Sequence, residues 1–251
     1  MKRKNLYLSI VIPAYNEEKN IKAGVLEQVR KYLSKQNYLW EVILVDDASK
    51  DNTVILLREY CKTHKGFRLM EEPHRGKGGT VIAGMLAAKG EVSIFTDMDQ
   101  ATPINQLNKI LPKVEKGYDV VIGSRAGREG APLFRKLMAY GFAILRTLVL
   151  RLPFKDTQCG FKAFKENAAK KIFSRMKLFD DNKRSEKAGV TAGFDLELLY
   201  IARKLGLKIA EVPVEWHHQE TERVNPIKDS WEGFRDLLRV RLNALRGVYK
   251  V

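Results

Sequence analysis

The chain has 251 residues, enough for one large α/β domain or two small ones, and it carries 45 Lys+Arg against 30 Asp+Glu, a formal net charge of +15. That balance calls for a polyanionic partner: nucleic acid, an anionic membrane surface or a phosphorylated substrate. The two cysteines, Cys61 and Cys159, lack CxxC spacing, which argues against a disulfide framework or a zinc site and fits a reducing compartment, and no uninterrupted apolar run approaches the roughly 18 residues of a membrane span.

The basic N-terminus leads into an apolar run over 6–13 with acids directly behind it, so it reads as a first strand rather than a signal peptide. The β-rich part is 8–12. It stops at Pro13, and Asn16-Glu17-Glu18 suits a helix start, predicting one helix to about Leu33. A second strand over 42–45 ends in Asp46-Asp47-Ala48-Ser49, and Asp51-Asn52-Thr53 opens a helix carrying Val54, Leu56, Leu57 and Tyr60. A short third strand is expected over 67–70. Gly76-Lys77-Gly78-Gly79 then precedes a small-residue helix predicted over 80–89, and a buried strand over 92–95 runs into Asp97 and Asp99.

After Pro103 the pattern predicts a helix, then a strand over 120–122 ending in Gly123-Ser124-Arg125. Residues 137–152 are almost wholly apolar, but Arg146 and Arg151 interrupt them and Arg135 and Lys136 precede them. This stretch is too short and too charged to cross a bilayer; it suits an interfacial helix or a core helix with surface arginines. Residues 156–162 read as a polar loop returning to the core and 180–189 as a charged, mobile loop. Gly193-Phe194-Asp195 opens a helix to 205, and a last strand over 208–212 ends at Pro213. In 226–248, Ile227, Trp231, Phe234, Leu238, Leu242 and Leu245 recur at helical spacing, with Lys228, Arg235, Arg239 and Arg246 between them. Strands alternating with helices imply βαβ units and a parallel sheet. Ligands of such sheets bind at the carboxyl ends of the strands, where Tyr15, Glu17, Asp47, Asp97 and Asp99 gather.

Asp97 and Asp99 stand one residue apart after an apolar strand. In extended backbone, positions i and i+2 point the same way, so both carboxylates can face one point. Like charges that close repel unless a cation sits between them. A hard divalent ion, Mg²⁺ or Mn²⁺, is the natural neutraliser and keeps positions for phosphate oxygens. The plain alternative is an acidic turn. Gly76-Lys77-Gly78-Gly79 is no Walker A loop, and no GxGxxG, GxSxG or HExxH occurs. The pair His217-His218 follows the last strand, either reaching the metal or phosphates or lying on a surface loop.

Taken together, Val11-Ile12-Pro13-Ala14-Tyr15-Asn16-Glu17, Val45-Asp46-Asp47-Ala48-Ser49 with Asp51-Asn52-Thr53, and Asp97-Met98-Asp99 resemble the family 2 inverting glycosyltransferases of the GT-A fold. Ile122-Gly123-Ser124-Arg125, Arg135 and Asp156-Thr157-Gln158-Cys159-Gly160-Phe161-Lys162 are similar to the polyprenyl-phosphate group. With Phe194-Asp195-Leu196-Glu197 they look most like the dolichyl-phosphate β-glucosyltransferases rather than the mannose enzymes. The resemblance covers about 8–228 and implies an α/β GT-A catalytic domain over 1–225, including an interfacial segment 135–152; the helical spacing of the tail adds a basic amphipathic helix over 226–251. It implies that Pro13, Tyr15, Glu17, Asp47, Lys77, Asp97 and Arg223 hold the donor nucleotide, and that Asp97 and Asp99 bind Mg²⁺ or Mn²⁺. Ser124, Arg125, Arg135 and Gln158 would take the acceptor phosphate. Asp195 and Glu197 are candidates for sugar contacts, Asp195 joining Asp97 and Asp99 as catalytic, or else acids favoured at a helix N-terminus. Two departures stand out. The mannose enzymes carry a further Gln ligand where this chain has Ala101, and they carry an arginine after the last strand where this chain has His217 to Gln219; Arg223 or His218 is the candidate substitute.

The expected reaction is transfer of glucose from UDP-glucose to a polyprenyl or dolichyl phosphate, peripherally on the cytoplasmic face of a membrane. The acceptor phosphate is already ionised, so no strong general base is required. The alternatives are another donor such as GDP-mannose, or transfer to a glycan. Nucleic-acid binding is allowed by the charge alone, with no RNP, zinc-finger or helix-turn-helix signature behind it, and no nucleic-acid partner is expected.

Overall fold

The computed structural model describes residues 5–125, 133–178, 193–217 and 226–249, with side chains for all of these except 133–140 and 226–230. Its centre is a sheet of β1 (Leu6–Ala14), β2 (Leu39–Asp46), β3 (Phe67–Glu71), β4 (Val92–Phe95), β5 (Val120–Arg125), β6 (Lys162–Lys165) and β7 (Ile209–Val214), in the order β3-β2-β1-β4-β6-β5-β7. All neighbours are parallel except β6, which runs antiparallel between β4 and β5. The helices are α1 (Glu18–Lys22), α2 (Val25–Leu33), α3 (Thr53–Thr63), α4 (Gly76–Ala87), α5 (Leu107–Glu115), α6 (Leu133–Leu150), α7 (Glu166–Phe173), α8 (Gly193–Lys204) and α9 (Pro226–Leu245).

The expected α/β, mostly parallel architecture is therefore present. β1, β2 and β4 are apolar without alternation because both faces are covered. Val11, Ile43, Val45 and Phe95 face one core, with residues of α4, α7, α8 and α9. Ile10, Ile12, Val42 and Leu44 face the other, with residues of α2 and α5. This is the period-2 division that a strand imposes.

Several expectations need correcting. The single helix after β1 is two, because Gly24 takes φ 81° between α1 and α2. The glycine-rich stretch is no loop: α4 begins at Gly76, so Lys77 lies in its first turn. Lys162 is not the end of a loop but the first residue of β6, whose strand signal is only four residues long. Strand β7 continues through Pro213 to Val214, which an edge position permits because no ladder donor is lost on the outer side. The predicted charged loop 180–189, together with His218 and Arg223, lies outside the described residues.

Arg146 is not a surface arginine of an interfacial helix. It is 4% exposed, and its guanidinium donates to Leu152 O, Phe154 O and Thr157 Oγ1, tying the end of α6 to the chain that leaves it. Phe142, Leu145 and Val149 pack on the core while Ile144 and Leu148 are exposed. Helix α6 thus has both a core face and an apolar outer face.

Candidate active site

The carboxyl ends of β1, β2 and β4 lie side by side because their strands are neighbours in parallel register. Three of the four described non-glycine residues with positive φ follow these ends: Asn16 at 55°, Ala48 at 57° and Gln100 at 49°. Such backbone costs on the order of 1 kcal/mol or more and clusters where side chains must be aimed. Asn16 is held by Ser49 Oγ on its N–H and by Lys50 N–H on its Oδ1, which joins the β1 and β2 loops.

Asp97 and Asp99 leave β4 together, both partly exposed. Lys77 Nζ lies 2.5 Å from Asp97 Oδ1. Burial opposes the Lys77 ammonium, but Asp97, Asp195 and Asp99 outweigh it and hold its pKa above the ordinary range. Burial, then the charge of Asp97, pushes the Asp99 carboxyl up despite an N–H bond from Ala101 at 2.9 Å. A Cβ on Gly160 would fall 2.1 Å from Asp97 Oδ2, so the bare backbone there leaves room for the carboxylate. Two carboxylates that repel, with a lysine ammonium already against one, form a donor set that fits a hard divalent cation. Asp97 and Asp99 would hold it; Ala101 offers no side-chain ligand.

Behind this pair lies a buried ion pair that the sequence reading missed. Lys162 is fully buried on β6. Its ammonium bonds Asp195 Oδ1 at 2.6 Å and the Cys159 carbonyl, and stands 5.3 Å from the centre of the Phe95 ring. Burial raises the Asp195 pKa, opposed by Lys162 and Lys77. Asp195 thus stands within electrostatic reach of Lys77 and Asp97. Its neighbour Glu197 does not. Fully buried, it accepts from the N–H groups of Lys177 and Leu178 at 2.9 and 3.0 Å, so it fastens the chain that follows α7 to α8. The only signal for Lys162 was a charged residue inside an otherwise apolar Phe-Lys-Ala-Phe run, which requires a partner.

At the end of β2, Asp47 accepts from Arg75 N at 2.7 Å and Gly76 N at 2.9 Å, capping α4 with an anion. His74 Nδ1 lies 2.9 Å from Asp47 Oδ2, and its ring stacks on Tyr15 with centroids 4.6 Å apart. His74 was not singled out by any motif. Tyr15 and Pro13 are half-buried at the end of β1; Glu17 accepts from Asn20 and its N–H is held by Thr53 Oγ1.

At the end of β5, Arg125 forms a two-pronged pair with Asp156, Nε to Oδ2 at 2.6 Å and Nη2 to Oδ1 at 2.9 Å. Burial works against both charges, yet each holds the other ionised; Asp156 falls to about 2. Ser124 is buried beside it and Gln158 is exposed. Arg135 lies in the first turns of α6, its side chain outside the described atoms. His217 is exposed, and its N–H donates to Ala101 O at 2.8 Å, which stitches the chain after β7 to the Asp97–Asp99 loop. Among the described residues no group of three or more His, Cys, Asp or Glu side chains converges on a metal position.

The fold is that of the GT-A glycosyltransferases. Mannosyl-3-phosphoglycerate synthase from Rubrobacter xylanophilus superposes with a TM-score of 0.68 at 16% identity, covering 96% of this chain and 75% of that one. Glucosyl-3-phosphoglycerate synthase from Mycobacterium tuberculosis, solved with UDP, gives 0.62 at 20%, covering 94% and 80%. At those identities the likeness speaks for the fold alone. Residues 9–173 match the model of Glycosyl transferase family 2. The dolichyl-phosphate β-glucosyltransferase of Dictyostelium discoideum is 32% identical over 98% of this chain and 77% of its own length, and the human protein of that name is 32% identical over 97% and 78%. The chain belongs to glycosyltransferase family 2 and is a glycosyltransferase.

Proposed function

We propose that this glycosyltransferase moves glucose from UDP-glucose, with inversion, to a polyprenyl or dolichyl phosphate, using Mg²⁺ or Mn²⁺, at the cytoplasmic face of a membrane. The observation that carries the reading is the Asp97–Asp99 pair with Lys77 at the end of β4, on the same sheet edge as the Arg125 guanidinium: an anion-neutralising centre beside a cationic clamp. The names of the relatives support glucose and dolichyl phosphate.

In this reading Tyr15 and Asp47 hold the base, with Pro13 and Glu17 shaping the nucleoside side, and Lys77 turns from Asp97 to the donor diphosphate. When bound at Asp97 and Asp99, a divalent cation supplies charge neutralisation for the leaving diphosphate. Asp195, kept in place by Lys162, takes sugar hydroxyls. Arg125, with Ser124, Gln158 and Arg135, receives the lipid phosphate; Arg suits a two-pronged grip on phosphate, and Asp156 holds the guanidinium in its planar setting meanwhile. The ionised acceptor oxygen is itself the nucleophile, so positioning opposite the leaving group sets the inverted outcome and no side chain has to remove a proton.

The test is a donor screen. UDP-glucose, UDP-galactose, UDP-N-acetylglucosamine and GDP-mannose, each radiolabelled, are offered with dolichyl phosphate, and the organic-extractable product is counted and its anomeric configuration read by proton NMR. Label from UDP-glucose in a β-linked lipid product is expected. Transfer from GDP-mannose instead, or an α-linked product, would overturn the donor or the stereochemistry respectively.

A further inference from the structure

Strand β7 ends at Val214, which pairs with Arg125 at the end of β5. The chain that leaves β7 is pinned at two points. Glu215 N–H donates to Oε1 of the buried Gln106 at 3.1 Å, and His217 N–H donates to Ala101 O at 2.8 Å. Ala101 N–H in turn donates to Asp99 Oδ1. Trp216 lies between these two pins, and it is 41% exposed. A single exposed apolar side chain is ordinary on a protein surface. This one differs in its fixed backbone and in its neighbour: the Arg125 guanidinium lies over its ring, with Cζ 5.7 Å from the centroid. Asp156 engages Nε and Nη2 of the same guanidinium. Of the five N–H donors of an arginine side chain, the pair on Nη1 and one on Nη2 remain for an incoming anion.

We infer that Trp216 contacts the first isoprenyl unit of the acceptor, so that Arg125 and the indole together select a phosphate ester bearing an apolar chain over one bearing a polar group. This inference rests on the lipid-phosphate reading above. A polyprenyl phosphate is charged at one end and apolar from its first carbon onward. Its site therefore needs a cation and an apolar surface side by side, both held still. Arg125 is held by Asp156, and Trp216 by its two pinned flanks. A phosphate on the open edge of the guanidinium carries its ester group past the adjoining ring, where an isoprenyl unit covers apolar area. A hydroxylated or carboxylated group there loses water without gaining a hydrogen bond. The plain alternative is that the ring only steadies the guanidinium by its cation–π contact.

Acceptor kinetics on the full chain, with UDP-glucose and Mn²⁺, separate the two accounts. Farnesyl phosphate is the acceptor, and inorganic phosphate and glycerol phosphate are competitive inhibitors against it. W216A is expected to raise the farnesyl phosphate KM about tenfold, the scale of part of one five-carbon unit losing its apolar contact. Its kcat should stay within about twofold, and the Ki of both polar phosphates should not move. W216L returns apolar area without a ring for the guanidinium, and is expected to recover most of the KM. If the indole only steadies Arg125, W216L matches W216A and the phosphate Ki rises with the KM, which overturns the inference. An unchanged KM in W216A also overturns it, while the lipid-phosphate reading stands. A second measurement leaves the site intact. In a W231F chain, whose remaining indoles are Trp40 and Trp216, farnesyl phosphate is expected to shift the emission to the blue and inorganic phosphate to leave it unmoved. No shift at saturating farnesyl phosphate overturns the inference even where W216A fails to fold. A wild type that transfers to no prenyl phosphate overturns both the inference and the reading beneath it.

Discussion

At the residue scale the site is a set of carboxylates, each with a different partner. Asp97 has Lys77, Asp99 has little beyond the Ala101 N–H, Asp195 has Lys162, and Asp156 has Arg125. Under the proposed reaction, Asp99→Asn removes one of two cation ligands and is expected to lower turnover about a hundredfold or more, the scale of a transition-state contact to a metal centre. Full activity in that variant, or of wild type in EDTA, would remove the cation from the mechanism. Gly160→Ala is a stricter test of geometry, because its new Cβ would stand 2.1 Å from Asp97 Oδ2: activity is expected to fall at least tenfold while thermal melting moves little, and an unimpaired G160A would mean that Asp97 is free to shift. Asp97 and Asp99 were legible in the sequence as two acids directly behind an apolar strand, but not for the extended i, i+2 relation expected of them: β4 ends at Phe95 and the chain turns at Met98 and Asp99, with Gln100 N–H bonded to Asp97 O. Lys162, His74 and Arg146 were not legible. Lys162 and His74 find their partners across the fold, on α8 and just after β2, and Arg146 finds its own in a loop whose path back over α6 no local pattern fixes.

At the element scale, periodicity and strand-end polar residues located six of the seven strands. The strand missed, β6, is short, antiparallel and carries a buried lysine, so neither length nor composition marked it. Helix α8 shows how elements place the site: Asp195 in its first turn faces Lys162, and two residues on, on the other side of the helix, Glu197 fastens it to the chain that follows α7. Burial raises the Glu197 carboxyl from an ordinary 4.5 to about 7. In the folded state it therefore holds its proton where the unfolded chain has lost it. The stability this contributes is complete below about pH 4.5 and is lost as pH rises through about 7. Glu197→Gln keeps an oxygen for the Lys177 and Leu178 N–H groups and cannot ionise. In urea unfolding at pH 5 and pH 8, wild type is expected to lose on the order of 2 kcal/mol relative to this variant. Parallel pH dependence in the two proteins would show that Glu197 titrates as it does in the unfolded chain.

At the scale of the whole molecule, the net charge of +15 and the outer faces of α6 and α9 bear on one question, namely where a lipid-borne acceptor would come from. Among the described residues no helix is long and apolar enough to cross a membrane. Helix α9 carries two apolar stripes. Leu237 and Val240 are fully buried and face the core, while Trp231, Leu238, Leu242 and Leu245 are exposed, Trp231 by 65% and Leu245 by 68%. At 100° per residue the second stripe lies on the opposite side of the helix from the first, and Arg235, Arg239 and Arg246 flank it. The sequence pattern had caught this outer stripe; its helical spacing was as good as that of the core stripe, which is why periodicity alone did not separate them. Helix α6, packed on α9, adds exposed Ile144 and Leu148. The surface also connects to the site, since α9 packs on α8 and a Cβ on Gly193, two residues before Asp195, would meet the Asp236 side chain at 2.6 Å. An anionic leaflet attracts each nearby basic residue by about 1 kcal/mol, and buried indole and leucyl area adds to that. The chain is therefore expected to pellet with vesicles of 30% phosphatidylserine in roughly 50 mM salt and to be partly released near 500 mM, where the Debye length is much shorter. Trp231→Glu, on the exposed stripe of α9, is expected to weaken pelleting at least tenfold while turnover of a short, detergent-dispersed polyprenyl phosphate is kept. Pelleting that W231E leaves untouched would assign the outer stripe to some other contact, and a wild type that stays in the supernatant at low salt would end the membrane proposal.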